Sequence, residues 1–204
     1  MPSGLEGYVL AGGASSRMGS DKSQIEFGGR TLAEHAAEML SQVCTRVTIA
    51  GGQGQASFPT ISDPYSLTGR RSRASIVGLS SALSHSRTEW TVVLACDLPF
   101  VTPDFLHLLI KKARAAAKGI SVVVPEQADG RLQPLAAVYR TAEGLIAALE
   151  MIGRGDLRLQ TLLGRLDPII VTQSEIASVG DPEKLFFNIN TPADLEKALN
   201  IETH

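Results

Sequence analysis

The chain reads as an α/β sandwich built on a mainly parallel sheet, and three observations predict it. Short apolar runs with strand character alternate with helical stretches from end to end. One run, residues 91–95, is apolar after its opening threonine, as suits a central strand covered on both faces. Polar residues able to do chemistry follow the apolar runs, where the carboxyl ends of parallel strands present ligands. At 204 residues of ordinary composition the chain is expected to be one domain spanning 1–204, large enough to bury a proper core.

Each element has a local reason. Residues 8–10 make a short first strand. A helix is expected over 31–40: Thr31 caps it, Glu34 stands where a capping box needs it, and Leu32, Ala36, Met39 and Leu40 form its apolar stripe. A second strand covers 46–50. After a Gly- and Ser-rich passage, Ile76, Leu79 and Leu83 mark another helix, followed by the run at 91–95. Thr102-Pro103 opens the next helix, with proline in the first turn, where its missing N–H does no harm. Strands are expected at 121–124 and 136–139, and a helix around 144–152. Thr191-Pro192-Ala193-Asp194 repeats the capped opening for a last helix ending near Leu199. No internal repeat, low-complexity tract or domain boundary stands out.

The bulk properties exclude several classes. A formal net charge of −2 gives no basic field for nucleic acid. No apolar run approaches bilayer length, and the start MPSGLEG lacks the pattern of a secretory signal, so the expected location is the cytoplasm. Cys44 and Cys96 lack metal-ligand spacing and read as small buried hydrophobes. His35, His85, His107 and His204 do not cluster in sequence.

The richest chemistry lies between Leu10 and Lys22, LAGGASSRMGSDK. Gly12 and Gly13 let backbone N–H groups converge on anionic oxygens, and Arg17 and Lys22 add two fixed positive charges, a combination suited to a polyphosphate. The alternative is a glycine turn with two solvated cations. It is not a Walker A loop, because Met18 stands five residues after Gly13 and no Gly-Lys-Ser/Thr triplet follows. Ala14 breaks the dinucleotide pattern G-x-G-x-x-G.

Asp97 ends the run Val92-Val93-Leu94-Ala95-Cys96 and precedes the stiff turn Leu98-Pro99-Phe100. A carboxylate so placed suits a hard cation such as Mg²⁺ bridging protein to nucleotide, or it caps a turn. Asn188 and Asn190, on one side of an extended segment, either serve a ligand or metal or cap the following helix. Gln133, in the turn Arg131 to Leu135, is a candidate contact to a second substrate, although a plain hairpin explains that stretch as well. Asp63 is a candidate for a ribose or base, against an ordinary Asp-Pro turn.

Four blocks in order, LAGGASSRMGSDK, ACDLPFVTPDFL, RLQPLAAVYR and FFNINTPADLEKA, together resemble the signature of the molybdenum cofactor guanylyltransferase family. The resemblance runs across nearly the whole chain and implies the Rossmann-like α/β/α fold of the nucleotide-diphospho-sugar transferase type. It implies transfer of GMP from GTP to the terminal phosphate of molybdopterin carrying molybdenum, with Mg²⁺ required and pyrophosphate released. By position it implies that Leu10, Ala11, Gly12 and Gly13 lie along the nucleotide, that Arg17 and Lys22 hold its phosphates and act in catalysis, and that Asp97 binds magnesium. Asp63 falls at the family's acidic position in the guanine pocket, Gly78 at its donor-pocket glycine, and Asn188 and Asn190 near metal and acceptor. Transient contact with molybdopterin-delivering proteins or molybdoenzymes is also implied.

Two departures fall on the donor pocket. Ala74-Ser75-Ile76-Val77-Gly78 replaces the family's Gly-Pro-Leu-x-Gly, and Gly51-Gly52 stands where an asparagine commonly follows the second strand. Arg70, Arg71 and Arg73 beside the first departure contact phosphate or form a basic loop. The competing expectations are a relative using another donor or acceptor, such as CTP with molybdopterin or a small phosphorylated acid, and an inactive nucleotide-binding sensor. An anionic phosphate nucleophile needs no strong base, in keeping with the lack of a Ser-His-Asp or Cys-His arrangement.

Overall fold

The computed structural model describes residues 4–11, 22–51, 57–61 and 74–202. Gly12, Gly13, Arg17, Asp63, Gly52, Arg70, Arg71, Arg73 and His204 lie outside the described residues. In chain order the strands are β1 (Glu6–Leu10), β2 (Glu26–Phe27), β3 (Arg30–Thr31), β4 (Arg46–Ala50), β5 (Thr60–Ile61), β6 (Trp90–Ala95), β7 (Val122–Pro125), β8 (Ala136–Arg140) and β9 (Pro168–Val171). The helices are α1 (Leu32–Ser41), α2 (Ser75–His85), α3 (Pro103–Arg114), α4 (Thr141–Gly153), α5 (Leu159–Leu163), α6 (Gln173–Ile176), α7 (Pro182–Leu185) and α8 (Pro192–Glu202).

Among the described residues seven strands form one sheet in the order β5-β4-β1-β6-β8-β7-β9. All pairs are parallel except the two that β8 makes with β6 and β7. The expected α/β sandwich is therefore present, with one reversed strand. Alternation along each strand divides the core into two layers. Val9, Val92, Leu94 and Val138 face the layer covered by α1 and α3, while Tyr8, Leu10, Val93 and Tyr139 face the layer under α2 and α4. Every residue of β6 is buried, which explains why the strand is apolar but for Thr91, whose hydroxyl donates to Ser86 Oγ at 2.7 Å.

The helix starts follow their local signals. Thr31 accepts from the Glu34 backbone N–H (3.2 Å), and the Glu34 carboxylate accepts from the Thr31 N–H (3.1 Å). Thr102 accepts from the Phe105 N–H at 3.3 Å, and Pro103 occupies the first turn of α3. Elements with no strong local signal appear only in the fold. Strand β9 begins with proline on the sheet edge and fully buries only Val171. β2 and β3 are two residues each, joined by Gly28 and Gly29 at φ 58° and 78°, the positive values a two-residue hairpin turn needs.

Cys96 is buried and Cys44 half-buried, and burial pushes the Cys44 thiol up to about 12. No helix among the described residues is long and apolar enough to cross a membrane.

Candidate active site

The carboxyl ends of β1 and β6 lie side by side, with Leu10 opposite Ala95 and the Cys96 N–H donating to the Leu10 carbonyl (3.2 Å). Ala11 continues the edge by donating to the Ala50 carbonyl at the end of β4 (2.9 Å). Leu10, Ala11 and Asp97 therefore stand on one rim of the sheet, as parallel strands require. Gly78, in α2, packs toward the same rim: a Cβ added there would lie 3.9 Å from Leu10 Cδ2. Gly51, just past β4, has φ 85°, a conformation that favours glycine.

The decisive contact comes from Lys22, which opens a 3₁₀ turn at Lys22–Gln24. Its Nζ lies 3.3 Å from Asp97 Oδ2 and donates to Asn190 Oδ1 at 2.6 Å. The far end of the glycine-rich block thus reaches the strand-end carboxylate across 75 sequence positions. Burial raises the Asp97 carboxyl above the usual carboxylate range, and the Lys22 ammonium opposes that shift. Asp97 is also tied through its backbone, where the Ile189 N–H donates to its carbonyl (3.0 Å).

The turn after Asp97 is fixed by a residue that sequence reading left without a role. His35 Nε2 donates to the Pro99 carbonyl at 2.8 Å, and its ring meets Phe27 edge-on at 5.5 Å. Phe27 in turn packs edge-on against Phe100. No local pattern could have revealed this, because His35 lies on α1 and its partner follows β6.

The asparagine pair divides its work. Asn190 meets Lys22 through its side chain, whereas the helix cap is made by others: Thr191 accepts from the Asp194 N–H (3.2 Å), and Asp194 accepts from the Asn190 and Thr191 N–H groups. Asn188 lines a cavity of about 540 Å³. Gln133 lines it too, in a hairpin closed by the Gln127 N–H to the Arg131 carbonyl (2.8 Å), as the turn reading of that stretch expected. On the far wall stand Arg158, Leu159 and Gln160, which sequence reading missed. Their one signal was a likeness to the stretch at Arg131. The cavity adjoins the Lys22 cluster through the segment Asn188-Ile189-Asn190, and through Leu135, whose carbonyl accepts from the Ala95 N–H (2.7 Å).

Among the described residues no group of three or more His, Cys, Asp or Glu side chains gathers to hold a metal. The oxygens of Asp97 and Asn190 nevertheless face one point, where they already accommodate the positive charge of Lys22. A hard cation that draws most of its ligands from phosphate and water needs no more carboxylates than this.

Residues 7–169 match the family described as the MobA-like NTP transferase domain. A Pelotomaculum thermopropionicum protein named probable molybdenum cofactor guanylyltransferase is 31% identical over 197 residues, covering 94% of this chain and 90% of that protein. The crystal structure of molybdopterin-guanine dinucleotide biosynthesis protein A from Archaeoglobus fulgidus has a TM-score of 0.81 at 26% identity, covering 97% of this chain and 98% of that one. The 2-C-methyl-D-erythritol 4-phosphate cytidylyltransferase of Thermus thermophilus has a TM-score of 0.66 at 17% identity over 97% of this chain and 98% of that one, a likeness of fold alone.

Proposed function

The chain belongs to the MobA-like NTP transferase domain family, and from that premise we propose that it transfers GMP from GTP to the terminal phosphate of molybdopterin carrying molybdenum, releasing pyrophosphate. One observation carries the reading: Lys22, Asp97 and Asn190, from three blocks remote in sequence, meet at the carboxyl rim of the sheet beside a cavity roomy enough for a second substrate.

In the proposed reaction a phosphate oxygen of the acceptor attacks the α-phosphorus of GTP in line. A new P–O bond forms, the bond from the α-phosphorus to the bridging oxygen breaks, and pyrophosphate leaves with the electron pair. The nucleophile is already anionic, so no side chain must take a proton from it. The task left to the protein is to hold two mutually repelling anions in line and to offset the charge that grows on the leaving group. Lys22 serves the second need, its ammonium moving from the carboxylate to phosphate, and Arg17 joins it from the same block. Leu10, Ala11, Gly12 and Gly13 would lie along the nucleotide, and Gly78 and Asp63 would serve its donor pocket. Asp97, with Asn190 beside it, would hold Mg²⁺, which when bound supplies fixed positive charge to the triphosphate. The cavity lined by Gln133 and Asn188 receives the acceptor. A cytoplasmic location and transient contact with molybdopterin-delivering proteins or molybdoenzymes suit this reaction.

The test is reconstitution with molybdopterin, Mg²⁺ and each of the four nucleoside triphosphates, scored for dinucleotide and pyrophosphate. GTP should be the productive donor. Asp97→Ala should lower turnover by at least about a hundredfold while the protein remains folded. Near-normal turnover in that variant would remove Asp97 from the mechanism, and preferential use of CTP would reassign the donor.

A further inference from the structure

Two pentapeptides of this chain echo one another: Asp129-Gly130-Arg131-Leu132-Gln133 and Asp156-Leu157-Arg158-Leu159-Gln160, both Asp-x-Arg-Leu-Gln. The fold brings them to one cavity, whose wall includes the Arg-Leu-Gln part of each. Gln160 Nε2 donates across to the Leu132 carbonyl at 2.8 Å, which ties the two motifs together.

Within each motif the aspartate holds its own arginine in the same way. Asp129 accepts from the Arg131 backbone N–H (3.0 Å) and from its Nε (2.6 Å). Asp156 accepts from the Arg158 backbone N–H (3.1 Å), its Nε (2.9 Å) and its Nη2 (2.8 Å). Each carboxylate is thus anchored to backbone and grips the Nε side of a guanidinium, leaving the fork's remaining donors to a ligand. Exposed pairs of this kind add little to stability, so stability does not account for two of them at one cavity. Arg158 also holds the Asp156 carboxyl down to about 2, so that pair stays ionised at any working pH.

We infer that Asp129 and Asp156 are positioning residues, which fix Arg131 and Arg158 so that the two guanidinium forks together grip a phosphate monoester in this cavity. The identity of that ligand as the acceptor rests on the transfer reaction proposed above; the grip itself does not. Two forks of fixed direction match the several oxygens of such a dianion better than mobile ammonium groups would.

Binding of phenyl phosphate, an aromatic phosphate monoester, followed by ³¹P line broadening, tests the grip without any turnover. Asp129→Asn and Asp156→Asn should each weaken it about fivefold, and Asp156→Glu should restore most of the loss. In the reconstituted reaction the same Asn variants should raise the KM for molybdopterin about tenfold while kcat and the KM for GTP change less than twofold. Unchanged phenyl phosphate affinity in both Asn variants, or a Glu variant no better than Asn, overturns the inference. A protein that binds phenyl phosphate in this aspartate-dependent way yet forms no dinucleotide would refute the reaction and leave the grip standing.

Discussion

Asp97 carries two opposed demands. Its site is dry enough to raise its carboxyl above the usual range, yet the proposed chemistry needs it ionised. A carboxyl whose folded-state pKa exceeds its unfolded value favours folding below the unfolded pKa, and that contribution is lost as pH rises through the folded one. The ionised side chain is therefore a net cost at neutral pH, even with Lys22 3.3 Å away. Asp97→Asn should accordingly raise the melting temperature at pH 7–8, with the gain vanishing only below about pH 3, where the carboxyl is neutral in the folded and unfolded states alike. Calorimetry across that range checks it, and a neutral-pH loss of stability would mean that the Lys22 pair outweighs desolvation. Which residues matter was partly legible from residue type: a carboxylate after an apolar run and a lysine closing a glycine-rich block are visible in one dimension. His35 and Arg158 were not, because a histidine within a helix and an arginine in a loop acquire meaning only from what they face.

Helices of three turns or so were readable, some from their caps and some from apolar spacing alone, and the shorter ones were not. Thr31 and Glu34 form the reciprocal box that four letters of sequence announce, and α1 starts where expected. Thr31→Ala should cost about 1 kcal/mol, read as a lowered urea midpoint with an unchanged slope. An unaltered midpoint would mean that α1 is held by packing of Leu32, Ala36 and Leu40 alone. By contrast α2 has no side-chain cap at Ala74, and its apolar spacing alone marked it. The short helices α5, α6 and α7 and the strands β5 and β9 were not legible because segments of five residues or fewer show too few repeats of any period. Two of these had signals that were passed over: Thr172 with Glu175 forms a second capping box, and Asp181 caps α7 by accepting from the Glu183 N–H.

At the scale of the whole molecule, protection should be graded across the sheet. β6 lies between β1 and β8 with all its residues buried, whereas β5 and β9 form the two edges. Backbone amides of β6 should exchange with solvent only through global unfolding, and those of β5 and β9 through local opening at much lower cost. Hydrogen exchange resolved by segment tests this, and equal protection of β9 and β6 would refute it. By itself the sequence determined the class of fold, the central strand and the capped helices, because periodicity, burial pattern and capping act over a few neighbouring residues. Only the tertiary structure decided the strand order, the reversal of β8 and the meeting of Lys22 with Asp97 and Asn190. Those partners are 75 and 168 positions apart, and no short-range preference of the chain encodes a distance between residues that only the packed sheet brings together.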